Sequence, residues 1–424
     1  MRLEEWFCGD HSWGRDLGFS IREPPGHYWA SVDSKGRKSG GCYLNFYRQF
    51  GLIGASMAIE VRHPAAAGLA RQAIRDRQLA ELRPRVEEVR EQFQTELRRL
   101  PAPFAEMASS HFAGRSAKAR NVVMMGEYVP WLLGDALGNP PPETAKAAIA
   151  WMFLYEHQLV VDDAVDTESV NPLHAVLLSN LLLQRSMDGF RQIAGDDSSF
   201  WSGFQRHCEM AAEAAMRERT TAASPVRDVS QDELLWMGRK SSAVKICGDI
   251  LARTATSPPP PAEQDLLCDE ICTGIQLMDD LCDWEEDLVA GNFTYPLVRS
   301  STWVSQQSQG RLTLRDLTKA MQTAILVTSG AIEETLSATN TFLHRAANRT
   351  AKWMRPDSVL ERYLTIAIDE HRRDVKRMKT WTWYDTLQTD VLNELTADID
   401  RRHFHEKWSG RLRRLQILAQ GGSS

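Results

Sequence analysis

The sequence predicts an all-α protein: a bundle of about ten helices, preceded by a short N-terminal segment of different character. Three observations predict it. From about Pro64 onward, apolar residues recur at spacings of three and four, the period of a helix with one buried face. Glycine and proline clusters punctuate these stretches at Gly138-Asn-Pro-Pro-Pro, Gly195-Asp-Asp, Ser224-Pro225, Ser257-Pro-Pro-Pro-Pro261, Gly291-Asn292 and Arg355-Pro356. Composition shifts only once, near residue 63, so the chain divides into residues 1–63 and a single helical domain over 64–424.

Taken in order, residues 1–63 are glycine-rich and hold short alternating runs such as Leu17-Gly-Phe19-Ser-Ile21 and Tyr28-Trp-Ala30-Ser-Val32. Alternation of this kind predicts β-hairpins in an appended segment. Residues 65–100 then place Leu79, Leu82, Val86, Val89, Phe93 and Leu97 on one face of an amphipathic helix. A second helix is expected over 117–138. The third, over 143–166, is apolar on every side through Ala147-Ala-Ile-Ala-Trp-Met-Phe-Leu-Tyr155, which places it inside the bundle. Further helices are expected over 172–194, 198–221, 230–254, 262–290, 313–346, 357–379 and 385–418.

A chain of 424 residues can bury a large core, and 43% hydrophobic with 25% charged residues describes a globular protein. The net charge of -6 gives no reason to expect nucleic acid as a partner. No apolar run reaches the length of a membrane span and the acidic start is no secretion signal, so the expected location is the cytoplasm. The seven cysteines lack CxxC spacing and are expected to be reduced.

Chemistry concentrates in two acidic clusters. Asp279, Asp283 and Asp287 are four residues apart and would form one stripe on a continuous helix, with Asp280 beside it. Two carboxylates about 4 Å apart repel by roughly 4 kcal/mol at an effective dielectric near 20, so such a stripe calls for a countercharge. Oxygen ligands at this density point to Mg²⁺, which is held by a few carboxylates, waters and phosphate oxygens. Asp162, Asp163 and Asp166 repeat the pattern at the end of the apolar third helix. Both clusters continue helices that are expected to be buried, which is hard to reconcile with two solvated faces.

These residues resemble the trans-prenyltransferase and class I terpene synthase superfamily, whose paired aspartate-rich motifs they match, the second preceded by Gln276. Lys240-Ser-Ser-Ala243 resembles the Lys-Thr-Ala element of polyprenyl diphosphate synthases, and Gly291-Asn-Phe-Thr-Tyr-Pro-Leu297 the segment after their second motif. The likeness spans roughly residues 110–300. It implies an isoprenoid-synthase bundle around a central pocket, with Asp162, Asp163, Asp166, Asp279, Asp283 and Asp287 holding three Mg²⁺ ions on an allylic prenyl diphosphate. Lys240 would contact the diphosphate, with Arg239 as a second candidate. Arg362-Tyr363 resembles the Arg-Tyr pair that closes over diphosphate in terpene cyclases. His157 and Gln158, one turn before Asp162, are candidate pocket-wall residues, and a homodimer is a candidate assembly. Thirteen tryptophans are compatible with an aromatic pocket that shelters a carbocation.

The expected activity is Mg²⁺-dependent ionisation of a C15 or longer prenyl diphosphate, followed by cyclisation or rearrangement. The markers of a second diphosphate site are poor: no Arg-Arg follows Asp166, and Gly114-Arg-Ser-Ala-Lys-Ala-Arg120 is a distorted Gly-Gly-Lys-Arg element. The all-aspartate second motif looks instead like a prenyltransferase, so chain elongation and head-to-head coupling stand as alternatives. A catalytically silent isoprenoid-binding subunit is the alternative of another class.

Overall fold

The computed structural model describes residues 79–118, 125–166, 171–221 and 223–379, with positions 391, 393 and 395. The expected N-terminal hairpins and the expected helix over 385–418 thus lie almost wholly outside the described residues. Those that are described form α-helices and short 3₁₀ turns, with no strand among them. No helix of the described residues is long and apolar enough to cross a membrane.

Among the described residues fourteen α-helices follow one another: α1 (Arg83–Leu97), α2 (Ala102–Lys118), α3 (Met125–Leu137), α4 (Pro141–Asp166), α5 (Pro172–Ala194), α6 (Ser198–Thr221) and α7 (Gln231–Gly238) come first. The second half comprises α8 (Ala243–Ala252), α9 (Pro261–Cys282), α10 (Trp284–Ala290), α11 (Tyr295–Ser308), α12 (Lys319–Thr328), α13 (Ala331–Trp353) and α14 (Val359–Lys379). The excess over ten has local causes. A 3₁₀ turn at Arg239–Ser241 divides the expected helix over 230–254, and Gly330, at φ 80°, divides that over 313–346. Pro296 in the first turn of α11 opens a helix that periodicity alone does not reveal. Ser230 and Thr318 cap α7 and α12 by accepting the amide N–H of Glu233 and Met321.

α4 and α9 are the two central helices. Ala150 to Tyr155 of α4 are each at most 4% exposed, as an all-round apolar helix requires. α4 packs against α5, α3, α8 and α1, and α9 against α13, α7 and α8, so α8 touches both. Small residues permit the closest crossings. A Cβ on Gly189 would come within 2.8 Å of Ala150, and one on Gly238 within 2.3 Å of Thr273 Oγ1, so α5 meets α4 and α7 meets α9 almost backbone to backbone. Among the described cysteines, Cys208, Cys247, Cys268 and Cys272 are free thiols, and burial pushes the Cys272 thiol up to about 12.

Candidate active site

Both acidic clusters sit at the C-terminal ends of central helices: Asp162, Asp163 and Asp166 in the last turn of α4, Asp279 and Asp280 in that of α9. Carboxylates are disfavoured there, because the unpaired carbonyls at that end of a helix already carry partial negative charge. Their presence in pairs is a standing demand for cations.

The second cluster is not one stripe. α9 stops at Cys282, Asp283 leaves the helical conformation at φ −103° and ψ 12°, and α10 starts afresh at Trp284. The break divides the acids by their neighbours. Asp279 lies in the field of Asp283 and Asp280, whereas Asp280 lies in that of Asp287. Gly291, in the left-handed conformation at φ 83°, ends α10 and lets Asn292 turn back, so that its Nδ2 donates to Asp287 Oδ1 at 3.0 Å. Gln276, one turn before Asp280, donates from Nε2 to Asp280 Oδ1 at 2.7 Å.

Lys240 provides the positive charge. Carried on the 3₁₀ turn after α7 and 13% exposed, it donates from Nζ to Glu218 Oε1 of α6 at 2.6 Å. Burial works against its charge, but Glu218, Asp280 and Asp279 outweigh that and raise its pKa. Burial first, then Asp283 and Asp280, hold the Asp279 carboxyl well above the usual range. Burial and Asp287 do the same to Asp280, and burial lifts Asp287 to about 6. Asp279 Oδ1 and Asp280 Oδ2 are both buried without a hydrogen-bond partner. Oxygen atoms of this kind fit a hard divalent cation, which would supply the missing partner and draw the protons off.

Glu218 has no signature in the sequence, being one of several acids on an amphipathic helix. With Arg217, Arg227, Trp236, Asn292 and Thr294 it lines a shallow cleft open to solvent. Arg217 lies 5.1 Å over the Trp236 ring, and Arg227 pairs with Glu233.

At the first cluster, His111 of α2 is held between two carboxylates, Nδ1 at 2.6 Å from Glu156 Oε1 and Nε2 at 2.9 Å from Asp163 Oδ2. A helix over 102–118 is not among the sequence expectations, so neither is this histidine. His157 lies 2.8 Å through Nδ1 from Ser179 Oγ of α5, and burial lowers its pKa; Gln158 beside it is half-buried.

The remaining candidates are engaged elsewhere. Arg239 Nε donates to Asp269 Oδ2 at 3.2 Å and its guanidinium lies 4.5 Å over Trp236, while Lys245 holds Asp269 Oδ1 at 2.6 Å. Together these pin the Lys240 turn to α9. Arg362 pairs with Glu81 and donates to the carbonyl of Asp357, which ties the start of α14 towards α1, and Tyr363 is buried in the main core.

No protein-family model and no curated protein matches the chain. Solved structures do. A polyprenyl synthase from Roseobacter denitrificans superposes with a TM-score of 0.52 at 18% identity, over 72% of this chain and 99% of that one. A polyprenyl synthetase from Streptomyces coelicolor gives 0.56 at 16%, over 68% and 98%. A polyprenyl synthase from Caulobacter crescentus, complexed with calcium and isoprenyl diphosphate, gives 0.54 at 17%, over 69% and 97%. The chain therefore has the all-α fold of the isoprenoid synthases.

Proposed function

We propose that this protein is a divalent-metal-dependent prenyltransferase, which ionises an allylic prenyl diphosphate and joins its prenyl group to a second isoprenoid by chain elongation or head-to-head coupling. One observation carries the reading: buried carboxylate oxygens of Asp279 and Asp280 lack hydrogen-bond partners beside the buried ammonium of Lys240, on a fold shared with prenyl synthases. A structural role for such a cluster is poor, because unpaired buried carboxylates destabilise whatever they do not serve.

Asp279, Asp283 and Asp287, with Asp162, Asp163 and Asp166, would hold Mg²⁺, three ions being expected. When bound, Mg²⁺ neutralises the charge that gathers on the leaving diphosphate. The chain's own residues do the rest. Lys240, now on Glu218, is the donor placed to follow the diphosphate oxygen as the allylic C–O bond breaks and its electron pair departs. Gln276 orients Asp280, Asn292 orients Asp287, and His111 orients Asp163. Glu218 keeps Lys240 extended before substrate arrives.

Cyclisation of a single prenyl diphosphate is the second reading. It is favoured by Thr167-Glu168-Ser169 after the first motif, where a second diphosphate would call for cations.

Incubation with geranyl, farnesyl and geranylgeranyl diphosphates and Mg²⁺, with and without isopentenyl diphosphate, tests both. A longer prenyl diphosphate, or a coupled C30 or C40 product, bears out the transferase. Hydrocarbon or alcohol from one non-coupled substrate replaces it with a cyclase. No turnover, together with a thermal shift from Mg²⁺ and pyrophosphate, would identify a silent binding subunit.

A further inference from the structure

Away from the aspartate motifs, three helices bring metal-ligating side chains together. His207 of α6, Asp249 of α8 and Asp265 of α9 place one donor atom each within 4.8 Å of the others. His207 is fully buried and both acids are partly buried. Asp265 precedes Asp279 by fourteen residues on α9, about 21 Å at 1.5 Å per residue, so this cluster is separate from the diphosphate-handling end.

An ordinary histidine–aspartate pair explains only part of the arrangement. His207 Nε2 lies 3.0 Å from Asp249 Oδ2, a hydrogen bond. The same nitrogen lies 3.7 Å from Asp265 Oδ1, beyond hydrogen-bond reach, and that oxygen is buried without any hydrogen-bond partner. Asp265 directs its other oxygen to Arg206, 3.8 Å away, and leaves this one facing the imidazole. Donors bound about 2.1 Å from one ion are about 3.0 Å apart at right angles and about 3.4 Å apart at a tetrahedral angle. The observed 3.0 and 3.7 Å bracket those edges.

The surroundings hold the ligands in place. Gln264 Nε2 donates to Asp249 Oδ1 at 3.3 Å, which leaves Oδ2 turned to the cluster. Gly203, one turn before His207, faces Asp249, and a Cβ there would lie 3.1 Å from Asp249 Oδ2.

We propose that His207, Asp249 and Asp265 form a second metal site, selective for a divalent transition ion of the Zn²⁺ or Mn²⁺ class, which ties α6 and α8 to α9. Imidazole with two carboxylates suits such an ion better than Mg²⁺, which takes oxygen alone, and three protein ligands leave positions for water. As the ion binds, the proton on His207 Nε2 moves to Nδ1, which makes no hydrogen bond here, so that Nε2, Asp249 Oδ2 and the unpartnered Oδ1 of Asp265 can all face the ion. Because α6 and α9 also carry Glu218 and Asp279, the site sets the far ends of the helices that frame the diphosphate cluster. The assignment does not depend on the reading of that cluster.

The test uses the full chain, stripped with EDTA and then saturated with Mg²⁺ and pyrophosphate, titrated with ZnCl₂ by calorimetry. One tight Zn²⁺ equivalent is expected, with a raised melting temperature and, on substitution by Co²⁺, a visible d–d absorption band. Asp265→Asn is expected to weaken Zn²⁺ at least tenfold and His207→Gln to abolish the band, while Asp279→Asn binds Zn²⁺ as wild type does. Should His207→Gln not fold, Asp265→Asn decides, because that side chain is partly exposed and the change is isosteric. Absence of a tight Zn²⁺ equivalent in wild type, or unchanged affinity in Asp265→Asn, overturns the site.

Discussion

Replacing Lys240 by methionine keeps the length of the side chain and removes the positive charge placed among Glu218, Asp279, Asp280 and Asp287. Glu218 then loses a partner at 2.6 Å in a site where the two side chains are 13% and 17% exposed. Breaking a buried pair from one side costs about 3–5 kcal/mol, and a unit charge at about 4 Å is worth roughly 4 kcal/mol at an effective dielectric near 20. The expected loss of stability in EDTA at pH 8 is therefore about 3–5 kcal/mol, read as a fall in denaturation midpoint. The loss is expected to shrink at pH 5.5, where Asp287, titrating at about 6, becomes neutral and the repulsion left behind fades. Mg²⁺ with pyrophosphate is expected to stabilise wild type and to stabilise the variant far less. A Lys240→Met protein as stable as wild type at pH 8 in EDTA would refute the assignment of Lys240 as counterion to this cluster.

Three further outcomes are expected. The Asp287 carboxyl is raised from 3.8 to about 6, so the folded state binds the extra proton. This contribution to stability is present in full below pH 3.8 and disappears as pH rises through 6. It amounts to about 3 kcal/mol, and thermal melts in EDTA should show it in wild type but not in Asp287→Asn. Asp162→Asn and Asp279→Asn are each expected to lower turnover at least a hundredfold with circular dichroism unchanged; near-normal product from either removes that motif from the chemistry. Gly238→Ala would drive a Cβ to 2.3 Å from Thr273 Oγ1 and 2.5 Å from Thr273 N, prising α7 from α9 beside the Lys240 turn. A cost of about 1–3 kcal/mol and weaker pyrophosphate binding are expected, both measurable by thermal shift.

Much of this was legible along the chain because the signals are local. The heptad-like spacing of Val86, Val89, Phe93 and Leu97, all buried in α1, follows from the 3.6-residue period alone. The same holds for the all-round apolar run from Ala150 to Tyr155 that marks α4 as central. The acidic clusters were visible as repeated aspartates, and the structure puts both at helix C-termini, where a countercharge is most needed. What stayed hidden was whatever depends on partners far away in sequence. Glu218 reaches Lys240 across 22 residues and His111 reaches Asp163 across 52, and neither carries a pattern of its own.

The sequence by itself determined the helical class and the buried position of α4 and α9, since each follows from spacing and residue type within one or two turns. Only the tertiary structure decided how the second motif is divided. The backbone leaves the helix at Asp283, so the acids fall on two helices and Asp287 is held by Asn292 from the turn after the second. It also decided which cations are spent on structure, Arg239 and Lys245 on Asp269, and which one, Lys240, remains among the acids of the second motif. The physical reason is that charge pairing and desolvation depend on distance in space, and a helix bundle brings together side chains whose separation along the chain encodes nothing about that distance.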